Sequence, residues 1–63
     1  MIKPGSLVRW RYTASPALGT VLADLGVKTF TRKYLIYWHT DGIILENYEA
    51  DIEELDHLHA EGG

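Results

Sequence analysis

The chain has 63 residues, a formal net charge of −3 and no cysteine, which limits it to one domain with a small core and excludes a disulfide framework and a thiolate metal site. No apolar run approaches the roughly 20 residues that span a bilayer, and the N-terminus lacks a signal-peptide pattern, so we expect a soluble, cytoplasmic protein. From the length we also expect either marginal stability or association with another subunit.

Two strands are predicted in the first part of the chain. After a turn at residues 4–5, residues 6–12 alternate between two faces. One face holds Val8, Trp10 and Tyr12, and the other holds Arg9 and Arg11. A loop at residues 13–16 leads to a second strand at residues 18–24, which Gly26 ends. Residues 25–32 are predicted to be an irregular connection.

An Asp-Gly dipeptide at residues 41–42 is the strongest local signal. It separates two β-rich runs, residues 33–40 and 43–48, and such a dipeptide is typical of a two-residue type I′ hairpin turn. In that register Trp38 pairs with Leu45. One face of the hairpin then carries the predicted core residues Tyr34, Ile36, Trp38, Ile43 and Leu45.

The opposite face of this hairpin is also apolar. It carries Leu35, Tyr37, His39, Ile44 and Tyr48, interrupted by Glu46. A sheet that is apolar on both sides usually has both sides covered. Either another subunit covers this face, or strong curvature brings residues of both faces inside a small barrel. The first alternative predicts a protein-interaction site, called the outer patch below, formed by Tyr37, His39, Ile44, Glu46 and Tyr48.

The end of the chain admits two interpretations. Ile52, Leu55 and Leu58 are spaced by three residues, which suits a short helix. The four preceding strands, however, need a partner that closes an edge. We therefore predict a 3-10 or helical turn at residues 50–53, a last strand at residues 55–58 and a disordered tail at 61–63.

Four segments, at residues 3–9, 18–22, 36–42 and 51–55, resemble small SH3-like barrel domains of the KOW and Tudor-like kind. An opening Pro-Gly strand, a Gly-x-Val strand, an Asp-Gly hairpin and a closing acidic segment recur there in this order. Short phage-encoded proteins are the nearest in appearance. The resemblance implies an all-β, five-stranded SH3-like barrel over residues 1–60. In a phage setting it implies an accessory particle protein or a modulator of a host factor, in the host cytoplasm or the virion.

Charge is divided unevenly along the chain. All six basic residues lie within the first 33 residues, where Asp24 is the only acid. This division predicts either a basic face for nucleic acid or ion pairing between the two halves on folding. The nucleic-acid alternative, which resemblance to KOW modules also favours, would use Arg9, Arg11, Lys28, Arg32 and Lys33 together with aromatic stacking.

Other chemistry finds less support in the sequence. His39, His57 and His59 have no carboxylate at a diagnostic spacing, so we expect surface histidines and no metal or cofactor. Trp10, Tyr12, Tyr37 and Tyr48 form an aromatic cage only if the fold brings their rings together. A nucleophile elbow and a phosphate-binding glycine loop are both missing, so we expect no enzyme. The leading hypothesis is a non-enzymatic protein-interaction module that forms a homo-oligomer.

Overall fold

The computed structural model describes residues 2–13 and 17–55. These residues form one antiparallel sheet of five strands, in the order β4-β3-β2-β1-β5. The elements are β1 (Leu7–Trp10), β2 (Leu18–Lys28), β3 (Thr31–Trp38), β4 (Ile43–Tyr48), a 3-10 turn (Glu49–Asp51) and β5 (Ile52–Glu54). The predicted all-β class, the five strands and the 3-10 turn before the last strand are confirmed. The described part of the chain contains no helix long and apolar enough to cross a membrane.

One face of the sheet forms the core. Along β3 the alternation predicted from the sequence is seen directly, since Tyr34, Ile36 and Trp38 are buried and the residues between them are half-buried. The other buried apolar residues are Ile2, Val8, Val21 and Ile52. Trp10 and Ala17, both partly buried, pack against this cluster.

The hydroxyl group of Tyr34 connects three parts of the chain. It accepts a hydrogen bond from the backbone N–H of Ile2, at 3.1 Å, and donates one to Oε2 of Glu49, at 2.9 Å. Burial raises the pKa of this phenol, which keeps it neutral and able to donate. A core tyrosine needs such partners because an unpaired buried hydroxyl is costly.

Gly19 allows β2 and β3 to approach closely. A Cβ atom at this position would lie 2.7 Å from Cγ2 of Ile36, 2.9 Å from Cε3 of Trp38 and 3.0 Å from the backbone oxygen of Tyr37. Glycine at this position thus permits a close contact between the backbone of β2 and core side chains of β3.

The predicted connection over residues 25–32 is wrong. β2 continues through Gly26 to Lys28, and β3 begins at Thr31. Two register shifts mark β-bulges in β2, and the second lies between Asp24 and Gly26, where Gly26 has a φ of 84°. Glycine reaches positive φ easily, so it produces a bulge here and does not end the strand.

A two-residue turn at Thr29 and Phe30 joins β2 to β3. Their φ angles are 54° and 80°, and positive φ at both positions is the signature of a type I′ turn. A β-branched or bulky residue is an outlier in that region, and such backbone strain costs on the order of 1–3 kcal/mol for each residue. Burial does not offset the strain, because Phe30 is 99% exposed.

The predicted two-residue turn between β3 and β4 is also wrong. Four residues form this loop, and the backbone N–H of Gly42 donates to the oxygen of Trp38 at 2.8 Å. Trp38 pairs with Ile43, and Ile36 pairs with Leu45, a slip of two residues from the predicted register. Side chains alternate with a period of two, so this slip leaves every residue on its predicted face.

Two predicted core residues are not buried. Ile43 and Leu45 share the face of the core, but they are 42% and 46% exposed. The reason is the position of β4 at an edge of the sheet, where no other strand within residues 2–13 and 17–55 covers it.

The last strand begins earlier than predicted. β5 is Ile52–Glu54, where we expected residues 55–58, because the 3-10 turn occupies Glu49–Asp51 and pairing with β1 starts at once. Residues 56–58 of the predicted strand, the predicted tail at 61–63 and most of the predicted loop at 13–16 lie outside the described residues.

Replacing Gly19 with alanine should lower the free energy of unfolding by about 1–3 kcal/mol, because the added Cβ overpacks the contact with Ile36 and Trp38. Urea denaturation measures this. The matched control is Val27→Ala in the same strand, where the side chain is 59% exposed, and we expect a change within about 0.5 kcal/mol. Equal losses in the two variants would contradict the close approach.

The double variant Thr29→Asn with Phe30→Gly should raise the free energy of unfolding by about 1 kcal/mol or more, because Asn-Gly adopts type I′ angles with little strain. Thermal denaturation measures this, at concentrations at which light scattering shows both proteins to be monomeric. Gly42 has a φ of 68° and provides a control in the opposite direction, since Gly42→Ala introduces strain and should destabilise. A double variant less stable than the parent under these conditions would show that the Thr-Phe turn is not strained.

Candidate functional site

Tyr37, His39 and Ile44 of the outer patch lie together. Tyr37 and Ile44 are direct cross-strand neighbours, and the imidazole of His39 meets the Tyr37 ring edge to face, with ring centroids 4.9 Å apart. Nε2 of His39 is 2.7 Å from the hydroxyl oxygen of Thr20. The contact with Thr20 depends on the pairing of β2 with β3 and was not predicted.

Glu46 and Tyr48 form the other end of the patch, around Lys33. The Lys33 ammonium lies 5.0 Å from the centre of the Tyr48 ring and 3.6 Å from Oε1 of Glu46. The Glu46 side chain is 55% exposed, so the ion pair adds little stability. Its main effect is to neutralise the charge that interrupts the apolar face.

β4 carries much of the exposed apolar surface. Ile44 and Tyr48 on the outer face are 55% and 44% exposed, and Ile43 and Leu45 on the inner face are exposed as well. The backbone of β4 pairs only with β3 among the described residues. The predicted patch therefore borders a strand edge that is unpaired among the described residues. The sequence did not indicate this exposed edge, because its pattern assigned Ile43 and Leu45 to the core.

A groove opens on the inner side of the sheet, beside β4. It has a volume of about 250 Å³ and is lined by Trp10, Ala17, Trp38, Thr40, Asp41, Leu45 and Asn47. The two indole rings meet nearly at right angles, with centroids 6.3 Å apart. Nε1 of Trp38 donates to Oδ1 of Asn47 at 2.9 Å, so its polar edge is satisfied and the groove presents apolar ring surface.

The four rings considered for an aromatic cage do not come together. Trp10, which lines the groove, lies against Tyr12, with centroids 5.6 Å apart. Tyr37 packs on His39, and Tyr48 packs on Lys33. The four predicted rings thus lie on two faces of the sheet and do not converge.

Arg9 and Arg11, two residues of the nucleic-acid alternative, contact β5. Nη1 of Arg9 is 3.7 Å from Oε1 of Glu53, and Nη2 donates to the backbone oxygen of Thr13 at 3.2 Å. Nη2 of Arg11 donates to the backbone oxygen of Ile52 at 3.1 Å. These contacts favour pairing between the two halves of the chain over an open basic face.

Arg32 is also engaged. Its Nη1 donates to both carboxylate oxygens of Asp24, at 2.8 and 2.7 Å. The Asp24 carboxylate additionally accepts the backbone N–H of Gly26 at 2.8 Å, and this bond, followed by the guanidinium of Arg32, lowers the pKa of Asp24. Lys33 contacts Glu46, whereas Lys28 makes no ion pair within residues 2–13 and 17–55.

The described residues contain no group of three or more His, Asp or Glu side chains that could hold a metal ion. His57 and His59, considered above as ligands, lie outside the described residues. His39 contacts Tyr37 and Thr20, which gives it a packing role in the outer patch.

Comparison with known protein families, with curated proteins and with solved structures finds no match.

Acid should weaken the fold through Asp24. The lowered pKa means that the ionised Asp24 carboxylate stabilises the folded state relative to the unfolded state. This stabilisation is fully present above the ordinary carboxyl pKa of about 4, and it is lost as the pH falls through the lowered value. Urea denaturation between about pH 5 and pH 2 measures the loss. Asp24→Asn should be less stable than the parent at neutral pH and depend less on pH, and an unchanged pH dependence would contradict the role of Asp24.

Proposed function

We propose that this protein is a small non-enzymatic protein-interaction module that self-associates through the outer patch. The observation that carries the proposal is the β4 edge, where exposed apolar side chains on both faces accompany a backbone edge that is unpaired among the described residues. A strand of this kind is a template for pairing with another chain. Ile44 would form the centre of the contact, with Tyr37, His39, Glu46 and Tyr48 of the outer patch beside it.

The distribution of exposed apolar residues supports a contact surface. Of the eight large hydrophobic residues that are exposed in the described part, four lie in the six residues of β4. Scattered exposed hydrophobics are normal on a small protein, whereas a contiguous group marks an interaction site. β4 also lacks the devices that protect edge strands, since it has no proline or lysine and its one charged residue, Glu46, contacts Lys33.

A second copy of the chain fits the β4 edge. An antiparallel pair related by a two-fold axis at Ile44 places the two Ile44 residues opposite each other and Ile43 opposite Leu45 of the second copy. Glu46 then lies opposite Gly42 of the second copy. The centre of the contact is apolar, and no two like charges face each other, which favours this register.

We further propose that the sheet is an SH3-like barrel. β1 pairs with both β2 and β5, so the first and last strands meet, and the 3-10 turn carries the chain from one edge strand to the other. The bulges in β2 supply the curvature that such a fold needs. The phage setting remains a prediction from the resemblance.

The purified protein should form an oligomer whose mass, measured by light scattering over a range of concentrations, does not depend on salt. Ile44→Lys should raise the dissociation constant about tenfold or more, because it places a charge at the centre of the contact. Leu22→Lys is the matched control, since Leu22 is similarly exposed, at 44%, but lies in β2, and this variant should associate like the parent.

Two results would contradict this proposal. An oligomer whose mass and dissociation constant are unchanged by Ile44→Lys would place the contact elsewhere, and a monomer at every concentration would exclude self-association. The same samples test the nucleic-acid alternative, because an absorbance ratio that shows bound nucleic acid, removed by salt, would favour the basic residues.

A further inference from the structure

Phe30 occupies an unusual position at the tip of the β2–β3 hairpin. It is 99% exposed, its φ is 80°, and the preceding residue is strained as well. Asn-Gly would form the same turn with less strain. Strain that is kept at an exposed site, with no packing to explain it, points to a function of the strained residue. Here the strained residue is Phe30, whose phenyl ring is exposed to solvent.

The groove beside Trp10 and Trp38 suits such a ring. Its volume is about 250 Å³, and a cavity of about 150 Å³ already accommodates benzene. Its apolar lining includes Leu45, which is 46% exposed, and the partly buried Trp10, whose ring meets the buried Trp38 ring nearly at right angles. A third ring can make offset or edge contacts on this lining. The side chain of Asp41 adds a negative charge to the lining of the groove.

Phe30 does not occupy the groove of its own chain. The hairpin tip and the Ala17 end of the groove lie at opposite ends of β2, because Lys28 ends the strand and Ala17 precedes it. The intervening residues span up to roughly 33 Å at the usual rise of a strand, which the two bulges shorten, and the Phe30 side chain is 99% exposed in its own chain. Insertion of this ring into the groove of the fold as described therefore joins two molecules.

We propose that Phe30 of one copy inserts into the groove beside Trp10 and Trp38 of a second copy, with Lys28 beside Asp41 of that copy. The charges are complementary, since Lys28 lies next to the turn and makes no ion pair among the described residues, and Asp41 is exposed at the groove. The two surfaces of this contact are different, so it is head-to-tail and builds a ring or an open chain of molecules.

This contact goes beyond the proposed function, because it uses no residue of the outer patch. A second copy is favoured over nucleic acid as the occupant. A nucleic-acid site needs several cations along a phosphate backbone. At this tip Arg32 forms an ion pair with Asp24, so Lys28 is the basic residue beside the turn that is available to a phosphate group. Insertion of Phe30 between bases is one outcome of the test below.

Tryptophan fluorescence reports on the groove directly, because Trp10 and Trp38 are the two tryptophans of the chain. The wild-type emission should shift to shorter wavelength as the protein concentration rises, in parallel with an increase in mass. The variant Thr29→Asn with Phe30→Gly should lose the shift and need about tenfold or more protein to reach the same mass. Thr29→Asn alone is the matched control, since it changes the turn, keeps the phenyl ring and should behave like the wild type.

Charge reversal tests the pairing of Lys28 with Asp41. Lys28→Glu and Asp41→Lys should each weaken the fluorescence shift, and the double variant should restore it. The two residues lie near opposite ends of the β2–β3 hairpin, so a restored signal requires a contact between molecules. Failure of the double variant to recover would overturn the pairing.

The proposal and the outer-patch contact fail in different ways. If Ile44→Lys reduces the mass and the Phe30 variant changes neither mass nor emission, the outer patch stands and the tip contact is wrong. If only the Phe30 variant has an effect, the outer patch is wrong. An emission shift that depends on Phe30 and appears only when an oligonucleotide is added would replace the second copy by nucleic acid.

Discussion

The buried hydroxyl of Tyr34 is the interaction on which the rest of the fold depends. Its strand, β3, lies between β4 and β2. Its ring is buried in the core, and its oxygen joins the N-terminal segment at Ile2 to the 3-10 turn at Glu49. That turn takes the chain away from β4 and into β5, which pairs with β1. The hydroxyl of Tyr34 thus holds both the N-terminal segment and the turn that leads from β4 to β5. Loss of either partner would leave a hydrogen-bonding group of the core unpaired, which is costly.

A core fixed in this way covers only part of the sheet. The seven buried apolar residues come from β1, β2, β3, β5 and the N-terminal segment, and β4 contributes none. Residues 2–13 and 17–55 form one sheet and supply no second layer over its outer face. The inner face of β4 is also left partly open in the described part, since Leu45, which lines the groove beside Trp10 and Trp38, is 46% exposed.

Sequence reasoning succeeded where alternation decides the outcome. It placed Tyr34, Ile36 and Trp38 on the core face and Tyr37 with Ile44 on the other, and these placements survived a register error because the slip was two residues.

Sequence reasoning failed where tertiary structure overrides local preference. Thr29 and Phe30 carry no turn signal, and only the pairing of β2 with β3 forces them to positive φ. The meeting of Trp10 with Trp38 depends on the strand order, as does the pairing of Arg9 with Glu53, so neither could be read from local pattern.

The two proposed contacts differ in the assemblies they permit. A two-fold contact at β4 uses the edge of both copies and ends with a pair, whereas a head-to-tail contact leaves a free tip and a free groove at each end. The strained turn fits the second role. A backbone penalty at Thr29 and Phe30 lowers the stability of the isolated chain, while binding to another folded copy raises it by mass action. In the proposed assembly, association would add stability to this small domain, and selection for assembly would retain a turn that selection for the monomer alone would replace with Asn-Gly.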